Sequence, residues 1–563
     1  MFNLAVIGST ATGSSSPLPA DPVKYVAEGA GGGGDGSTGT PWTLAEFEAE
    51  TFASQTTIEF RATATTWTIS TNGNGITFPD NTTNTVRAGD TVKISGSGTG
   101  ASNRCDYAFD LEDASSVSID GFTVDGGGAT YDLYTVSAVA SVAGSTNCTI
   151  KNCTISKTYG TYGIYIDDLT TTTPSGFSFI DNTWTDHGVH YDIDATLGDN
   201  GNGFHIVRGE NIRITGNTFV RTGGHSTIEV RRCNNLWIAE NTFDCDWSGV
   251  AGVNADGQSR AIELKANGTS GGTSDGNYNW LVEKNELFDC GGQNDNSSTT
   301  AFKIGGQYGV FRDNLVTRVD GNAYALLFLC SSTGNFMENI YGYNNTITNT
   351  AAGAFQYLGD TAMSGTPGRV EFFNNICQDQ RNDPSTQDYD FRITSIGVLD
   401  VFSAPPTIVD YNIFDQSADV RIEDSSGPDS QTLTSMELNN PTEVNNNDQS
   451  NVISNFTSST GDTRADYAYA ETGGRAQTTV SGSDTGTGTT LLVGNTRMFK
   501  DTMNGLRPAG DQIYVGGTLA TINTIDSDTQ ITLTSSISRS ASDDVIWAEA
   551  YSAGSVLRGV VDA

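Results

Sequence analysis

Six charged or titratable residues fall on one expected face of this chain: His205, Glu229, Arg231, Glu263, Lys265 and Lys303. They come from short segments of period two, FHIVRG (204–209), TIEVRR (227–232), AIELKA (261–266) and AFKIGG (301–306). In a strand, successive side chains point to opposite faces. With Phe204, Ile228, Ile262 and Phe302 turned inward, the next residue of each segment turns outward. That column reads Tyr165, His205, Glu229, Glu263, Lys303 and, further on, Gln356 and Arg392. A second outward column holds Asp167, Val207, Arg231, Lys265 and Gly305. Stacked strands lie about 4.8 Å apart, so the six residues would share one patch. Three chemistries fit it. A Lys or Arg can abstract the proton beside a uronate carboxylate while cations or Ca²⁺ neutralise that carboxylate. Two carboxylates about 5–5.5 Å apart suit a retaining glycosidase, and Glu229 and Glu263 on adjacent strands suit that spacing. The plainest reading is a charge-paired column that stabilises stacked strands by about 0.2–1 kcal/mol per pair.

Two further groups stand near this face. All four histidines, His187, His190, His205 and His225, fall within one short stretch. The loop DHGVHYDIDATLGDNGNG (186–203) offers Asp192, Asp194, Asp199 and Asn200 as hard oxygen ligands. Such a loop can hold Ca²⁺, although the spacing is not that of an EF-hand; an exposed acidic loop is the simpler account. Aromatic residues gather around the longest inter-corner segment, Asn241 to Asn285: Trp237, Trp247, Tyr278, Trp280 and Tyr308. Extra loop length on a rigid scaffold commonly carries binding. Trp247, Tyr278 and Trp280 are therefore the candidates for stacking on sugar rings, with packing under a loop as the alternative for each.

The elements that position these residues come from an internal repeat. IRITGNTFV (212–220), LWIAENTFD (236–244), WLVEKNELF (280–288), GVFRDNLVT (309–317) and YGYNNTITN (341–349) each read as strand, tight corner, strand. Aligned, the corners are Phe122, Cys153, Asn182, Asn217, Asn241, Asn285, Asn314, Asn345, Asn375 and Asn412. They recur at a mean interval of about 32 residues, the period of a stacked architecture. Asn suits the corner because it tolerates left-handed backbone and its amide can bond the Asn above and below. Inward apolar residues flank it at −3 and +2, as with Ile214 and Phe219 or Ile238 and Phe243. With the strand that precedes each pair, every repeat has three short strands. This predicts an all-β fold, a parallel β-helix. Antiparallel hairpins would not keep one corner residue in register.

On these motifs the chain, over roughly residues 23–465, resembles the right-handed parallel β-helix proteins of the pectin-lyase-like superfamily. That group includes polysaccharide lyases, glycoside hydrolases and phage tailspikes. The opening stretch VKYVAEGAGGGGDGSTGTPWTLAEFEAE (23–50) fits the resemblance. In it Thr43 and Glu46 form a capping box, and Leu44, Phe47 and Phe52 give a short apolar helix face that would cover the first coil. Glu229-Val230-Arg231 and Glu263-Leu264-Lys265 are similar to the Glu/Lys arrangement of β-helical alginate and dermatan lyases. The resemblance implies Lys265 or Arg231 as base, with Glu229 and Glu263 holding Ca²⁺, although the fuller motif of those enzymes is absent.

Three regions are expected. Residues 1–22 read as an attachment segment or linker, residues 23–465 as the β-helix with an irregular end at 416–465, and residues 475–563 as a small all-β domain, barrel or sandwich. The last resembles the small β-barrel modules of bacteriophage virion proteins through GDQIYVGG (510–517). Lys+Arg total 29 against Asp+Glu 66, a formal charge of −37, which argues against nucleic acid and against anionic membrane surfaces. No apolar run is long enough to span a bilayer, and no basic segment precedes the short apolar start as in a secretory signal. The eight Cys are scattered without a CxxC, so buried thiols are expected over metal ligands. The expectation is a virion spike or fibre protein, assembled in a host cytoplasm. By analogy with tailspikes it would be a homotrimer, with other virion proteins and a cell-surface polysaccharide as partners. A free polysaccharide lyase or hydrolase, and a capsid-decorating protein without glycan activity, are the rivals.

Overall fold

The computed structural model describes residues 23–350 apart from 72, 98–104, 128–135, 168–171, 189–200, 223–224, 247–259, 266–275, 291–299, 320–324 and 331–336. From 351 to 477 it describes strands and Asn375, and then residues 478–548. Each coil is built of three short parallel strands. One coil runs Asn202–Ile206, Gly209–Thr215 and Thr218–Thr222, and Ser226–Val230 opens the next. The middle strands stack into a 13-stranded sheet from Lys24–Ala27 to Thr407–Asp410. The strands on either side of it form a 26-stranded sheet. This is the parallel β-helix that the repeat predicts.

The inward column is confirmed to the residue: Phe204 pairs with Ile228, Ile228 with Ile262, and Ile262 with Phe302. All four are fully buried. The outward column is confirmed as well, from Tyr165 through His205, Glu229 and Glu263 to Lys303. Leu327 is the coil missing between Lys303 and Gln356. Aromatic rings continue the stack inside, with Phe219 and Phe243 5.1 Å apart.

The Asn corner is a continuous amide ladder through Asn182, Asn217, Asn241, Asn285, Asn314, Asn345 and Asn375. The Oδ1 of Asn241 accepts from Asn217 N–H at 3.0 Å and from Asn217 Nδ2 at 2.9 Å. Its own Nδ2 donates back to the Ile214 carbonyl at 2.9 Å and forward to Asn285 Oδ1 at 3.0 Å. Asn412 lies outside the described residues. One expectation is corrected: the left-handed residue is the one before the Asn, as at Asp181, Glu240, Lys284 and Asp313, with φ 53–58°. The chain turns one residue early, so the Asn can aim both its N–H and its Nδ2 at one oxygen of the next coil.

The capping helix, Leu44–Glu48, has the predicted box: Thr43 N–H donates to Glu46 Oε2 at 2.8 Å, and Glu46 N–H donates to Thr43 Oγ1 at 3.2 Å. Its Phe47 is buried 5.3 Å from Phe60. Cys105, Cys148, Cys153, Cys233, Cys245 and Cys290 are buried free thiols, and burial pushes that of Cys153 up to about 12. Among the described residues no helix is long and apolar enough to cross a membrane.

A six-stranded sheet between Thr478 and Trp547, antiparallel in its pairings, packs on the outer face of the 13-stranded sheet. Trp237, Leu281, Val310 and Tyr341 share one apolar cluster with Met498, Phe499, Ile513 and Trp547. At its centre Arg312, wholly buried, donates to Glu283 Oε2 at 2.6 Å and to both oxygens of Asp511 at 2.6 and 2.7 Å. Arg507 adds a 2.9 Å pair to Asp511. Lys500 Nζ donates to Asn279 Oδ1 and to the Tyr308 carbonyl, each at 2.8 Å.

Candidate functional site

The outward patch assembles as one network centred on Glu229 and Glu263, which are in register on adjacent coils and almost without solvent contact. Glu229 Oε1 meets Lys265 Nζ at 2.8 Å and Arg231 Nε at 2.9 Å, and its Oε2 accepts from Asn202 Nδ2 at 2.9 Å. Glu263 Oε1 meets Lys303 Nζ at 2.9 Å, while its Oε2 meets Arg260 Nη1 at 3.0 Å and Ser226 Oγ at 3.2 Å. His205 Nδ1 lies 3.5 Å from Glu229. All six residues singled out in the sequence therefore meet in one place.

The charges are uneven. Burial pushes the Glu263 carboxyl up, but Lys303, Arg260 and Lys265 override it and hold it well below the usual carboxylate range. Burial raises Glu229 too, and Lys265 overrides it, leaving a net lowering. Burial holds both His205 and His225 down to about 4, so both are neutral near pH 7. Four cations thus surround two carboxylates. Side-chain exposure is 38% for Arg231 and 20% for Lys265 and Lys303, so solvent reaches the surplus. Beside it the Tyr162 ring stacks on His205 at 4.2 Å and the Tyr165 ring lies 5.8 Å away, nearly parallel. The Tyr165 hydroxyl donates to Asp167 at 2.5 Å; burial and this bond push its phenol well above the ordinary value.

Three members escape the alternation rule. Asn202, Ser226 and Arg260 are the first residues of their strands. Period two assigns them to the interior, and they are buried, yet each turns its polar atoms onto Glu229 or Glu263. The one sequence signal for them is polarity at a position of inward parity, three residues before each of His205, Glu229 and Glu263.

The Ca²⁺ expected at Glu229 and Glu263 does not fit these residues. Donor atoms of His225, Glu229 and Glu263 lie within 4.8 Å of one another. All four carboxylate oxygens, however, already face a cation or a hydrogen-bond donor, and Arg260 Nη1 stands 3.0 Å from His225 Nε2. A hard dication would meet four organic cations here. The other Ca²⁺ candidates, Asp192, Asp194 and Asp199, lie outside the described residues, as does Trp247.

Trp280 needs correction as a sugar-stacking residue. It is fully buried, paired with Leu236, and packs against the backbone of Gly309, where an added Cβ would fall 1.9 Å from the indole. Its parity turns it inward. Trp237 lies under the C-terminal sheet, its Nε1 donating to Glu283 at 3.0 Å. Tyr278 alone of the three candidates is seen at the surface, 46% exposed.

No protein-family model matches this chain, and no curated protein does. Among solved structures it is similar to ORF18 of Geobacillus virus E2, at 14% identity over 55% of each chain and TM-score 0.35. The chain therefore spans about half the length of that protein. It is similar to pectate lyase Pel9A at 15% identity, over 69% of this chain and 82% of that one, TM-score 0.32. It is similar to the tailspike protein of E. coli bacteriophage HK620 at 9% identity, over 66% and 58%, TM-score 0.37. These likenesses concern the winding and leave the site to its own chemistry. That the fold is a parallel β-helix rests on the pairing of this chain's own strands.

Proposed function

We propose that this chain is a spike-type β-helix protein whose outer patch binds an acidic cell-surface polysaccharide. The observation that carries the reading is the charge surplus. In a chain of net charge −37, four cations converge on two buried carboxylates, and three of the four reach water. A local field of this sign on an acidic protein draws and orients anionic groups. Tyr162 and Tyr165 flank it with ring surface for a sugar.

Binding without cleavage is the favoured form. Hydrolysis needs one carboxyl protonated near neutral pH, whereas Glu229 and Glu263 are both held below the ordinary value. Elimination needs a base, whereas Lys265 Nζ is bonded to Glu229 and the Tyr165 phenol holds its proton. Titration with acidic and neutral oligosaccharides tests the reading. Acidic ones should bind, more weakly as salt rises, and Arg231→Ala with Lys303→Ala should weaken that binding. Ultraviolet-absorbing unsaturated ends, lost in Lys265→Ala, would replace it with a lyase. New reducing ends, lost in Glu229→Gln, would replace it with a hydrolase.

The reading extends to a virion-borne homotrimer, on the strength of the whole plan: capping helix, long β-helix and small C-terminal sheet. Light scattering should give about three times the 59.5 kDa of one chain, and purified particles should carry the protein. A stable monomer removes the trimeric part of the reading.

A further inference from the structure

Around the corner from the patch, where the site strands turn into the 13-stranded sheet, lies an open cleft of about 410 Å³. Its lining includes Gly209 and Cys233, paired on adjacent coils. Arg208 and Arg232, the residues just before them, line it. Glu210, Asn234, Tyr278 and Gln307 line it as well, and they form one register column over four successive coils. At about 4.8 Å per coil this row is about 14 Å long and runs along the helix axis. Its volume is that of an ordinary ligand pocket.

The geometry points to a second glycan site in this cleft, with Tyr278 as the ring on which a sugar stacks. Asn234 and Gln307 supply amide donors and acceptors for hydroxyl groups, and the two guanidinium groups suit a sugar carboxylate. Tyr278 is fixed in advance. Its ring lies 4.9 Å from that of Tyr308. The Tyr308 carbonyl is bonded by Lys500, and the Arg497 guanidinium stands 5.8 Å from the Tyr308 ring. The segment between two strands of the C-terminal sheet thus steadies the platform, and a preorganised ring loses little freedom on binding. The cleft also adjoins the patch: Arg231 belongs to one and Arg232, the next residue, to the other. One polymer can engage both, and the second contact is then effectively intramolecular. In taking the ligand to be an acidic polysaccharide, the inference rests on the function proposed above.

Calorimetry of the full chain with oligogalacturonates and their neutral methyl esters tests it. Tyr278→Ala should weaken the acid form about tenfold and weaken the ester as well, at low and high salt alike. Tyr278→Phe, which keeps the ring, should bind like the parent. Arg231→Ala with Lys303→Ala should weaken only the acid form, chiefly at low salt. If the patch variant weakens binding and Tyr278→Ala does not, the cleft is overturned and the patch reading stands. If Tyr278→Ala weakens binding and the patch variant does not, the cleft stands and the patch reading falls. If the parent binds neither form, both fall. Because Tyr278 is exposed, its variants should unfold at the parent's midpoint, so a lost signal reads as lost binding.

Discussion

Two charge networks lie on this β-helix, and they handle surplus positive charge in opposite ways. In the seam under the C-terminal sheet, Glu283 and Asp511 face Arg312 and Arg507, with Lys500 close by. The third cation has only neutral oxygens as bond partners there, and burial pulls it down to about 7, with Arg312 adding to the effect. In the patch, Glu229 and Glu263 face four cations, and the surplus sits where water reaches it. A buried network must balance or discharge itself, since an unpaired internal charge is costly. A network at the surface can carry an imbalance, and an imbalance is what a charged ligand can answer. Similar residue types therefore make a fastener in one place and, on the function proposed above, a docking face in the other.

The sharpest way to break this comparison is to remove one cation from each network. Arg312→Met leaves Glu283 and Asp511 buried beside each other with less compensation. Breaking a buried pair in this way costs about 3–5 kcal/mol, read from urea or thermal unfolding. Arg231→Ala leaves Glu229 still bonded to Lys265 and Asn202, so it should cost about 1 kcal/mol or less, as exposed pairs do. Equal losses would mean that the patch is as structural as the seam.

The Asn ladder gives a neutral reference between those extremes. Asn241→Leu strands the amide groups of Asn217 and Asn285 inside the helix. Each unsatisfied buried group costs about 1–3 kcal/mol. A variant that melts with the parent would mean that the ladder is not what registers these coils.

A third test separates a discharged cation from a paired one. The folded pKa of Lys500 is depressed below its unfolded value, so the folded state binds fewer protons between the two. Stability should therefore rise with pH from about 7 towards 10. By pH 8.5 the gain should be at least about 1.4 kcal/mol, the worth of one pK unit. Lys500→Met should flatten that slope. An unchanged slope in the variant would assign the pH dependence to other groups.

How much of this was legible depended on whether period two and the corner repeat applied. Both outward columns follow from alternation, because Phe204, Ile228, Ile262 and Phe302 fix the inward side. The ladder follows from a single recurring Asn. The left-handed residue was hidden because its position is held by chemically unlike residues, Gly216, Glu240, Lys284 and Asp313. Asn202, Ser226 and Arg260 were hidden because strand-opening positions escape alternation. The seam was hidden for a different reason. Glu283 and Arg312 stand in the repeat itself, at an outward position that reads as solvent-facing. Their partner Asp511 is 199 residues beyond Arg312, and no local pattern spans that distance.

The smallest expected effect tests the patch itself. His205 and His225 stand against Glu229 and Glu263, where an ordinary histidine would gain a proton near pH 6.5. Burial is the largest influence on both and holds them down to about 4; Arg260 adds to the lowering at His225, and Glu229 only partly opposes it at His205. Each folded value lies below the unfolded one. The stability tied to the neutral rings is therefore complete above about pH 6.5 and is lost as the pH falls from there through about 4. Between about pH 8 and 5 the patch keeps the same charge, because both carboxylates stay ionised and both rings stay neutral. Affinity for an oligogalacturonate at fixed ionic strength should consequently be flat across that range. A rise centred near pH 6.5 would mean that water reaches the imidazoles and adds two more cations on demand. The patch would then be a pH-responsive surface, open in a way that the seam is not, and its affinity would depend on the acidity of the medium.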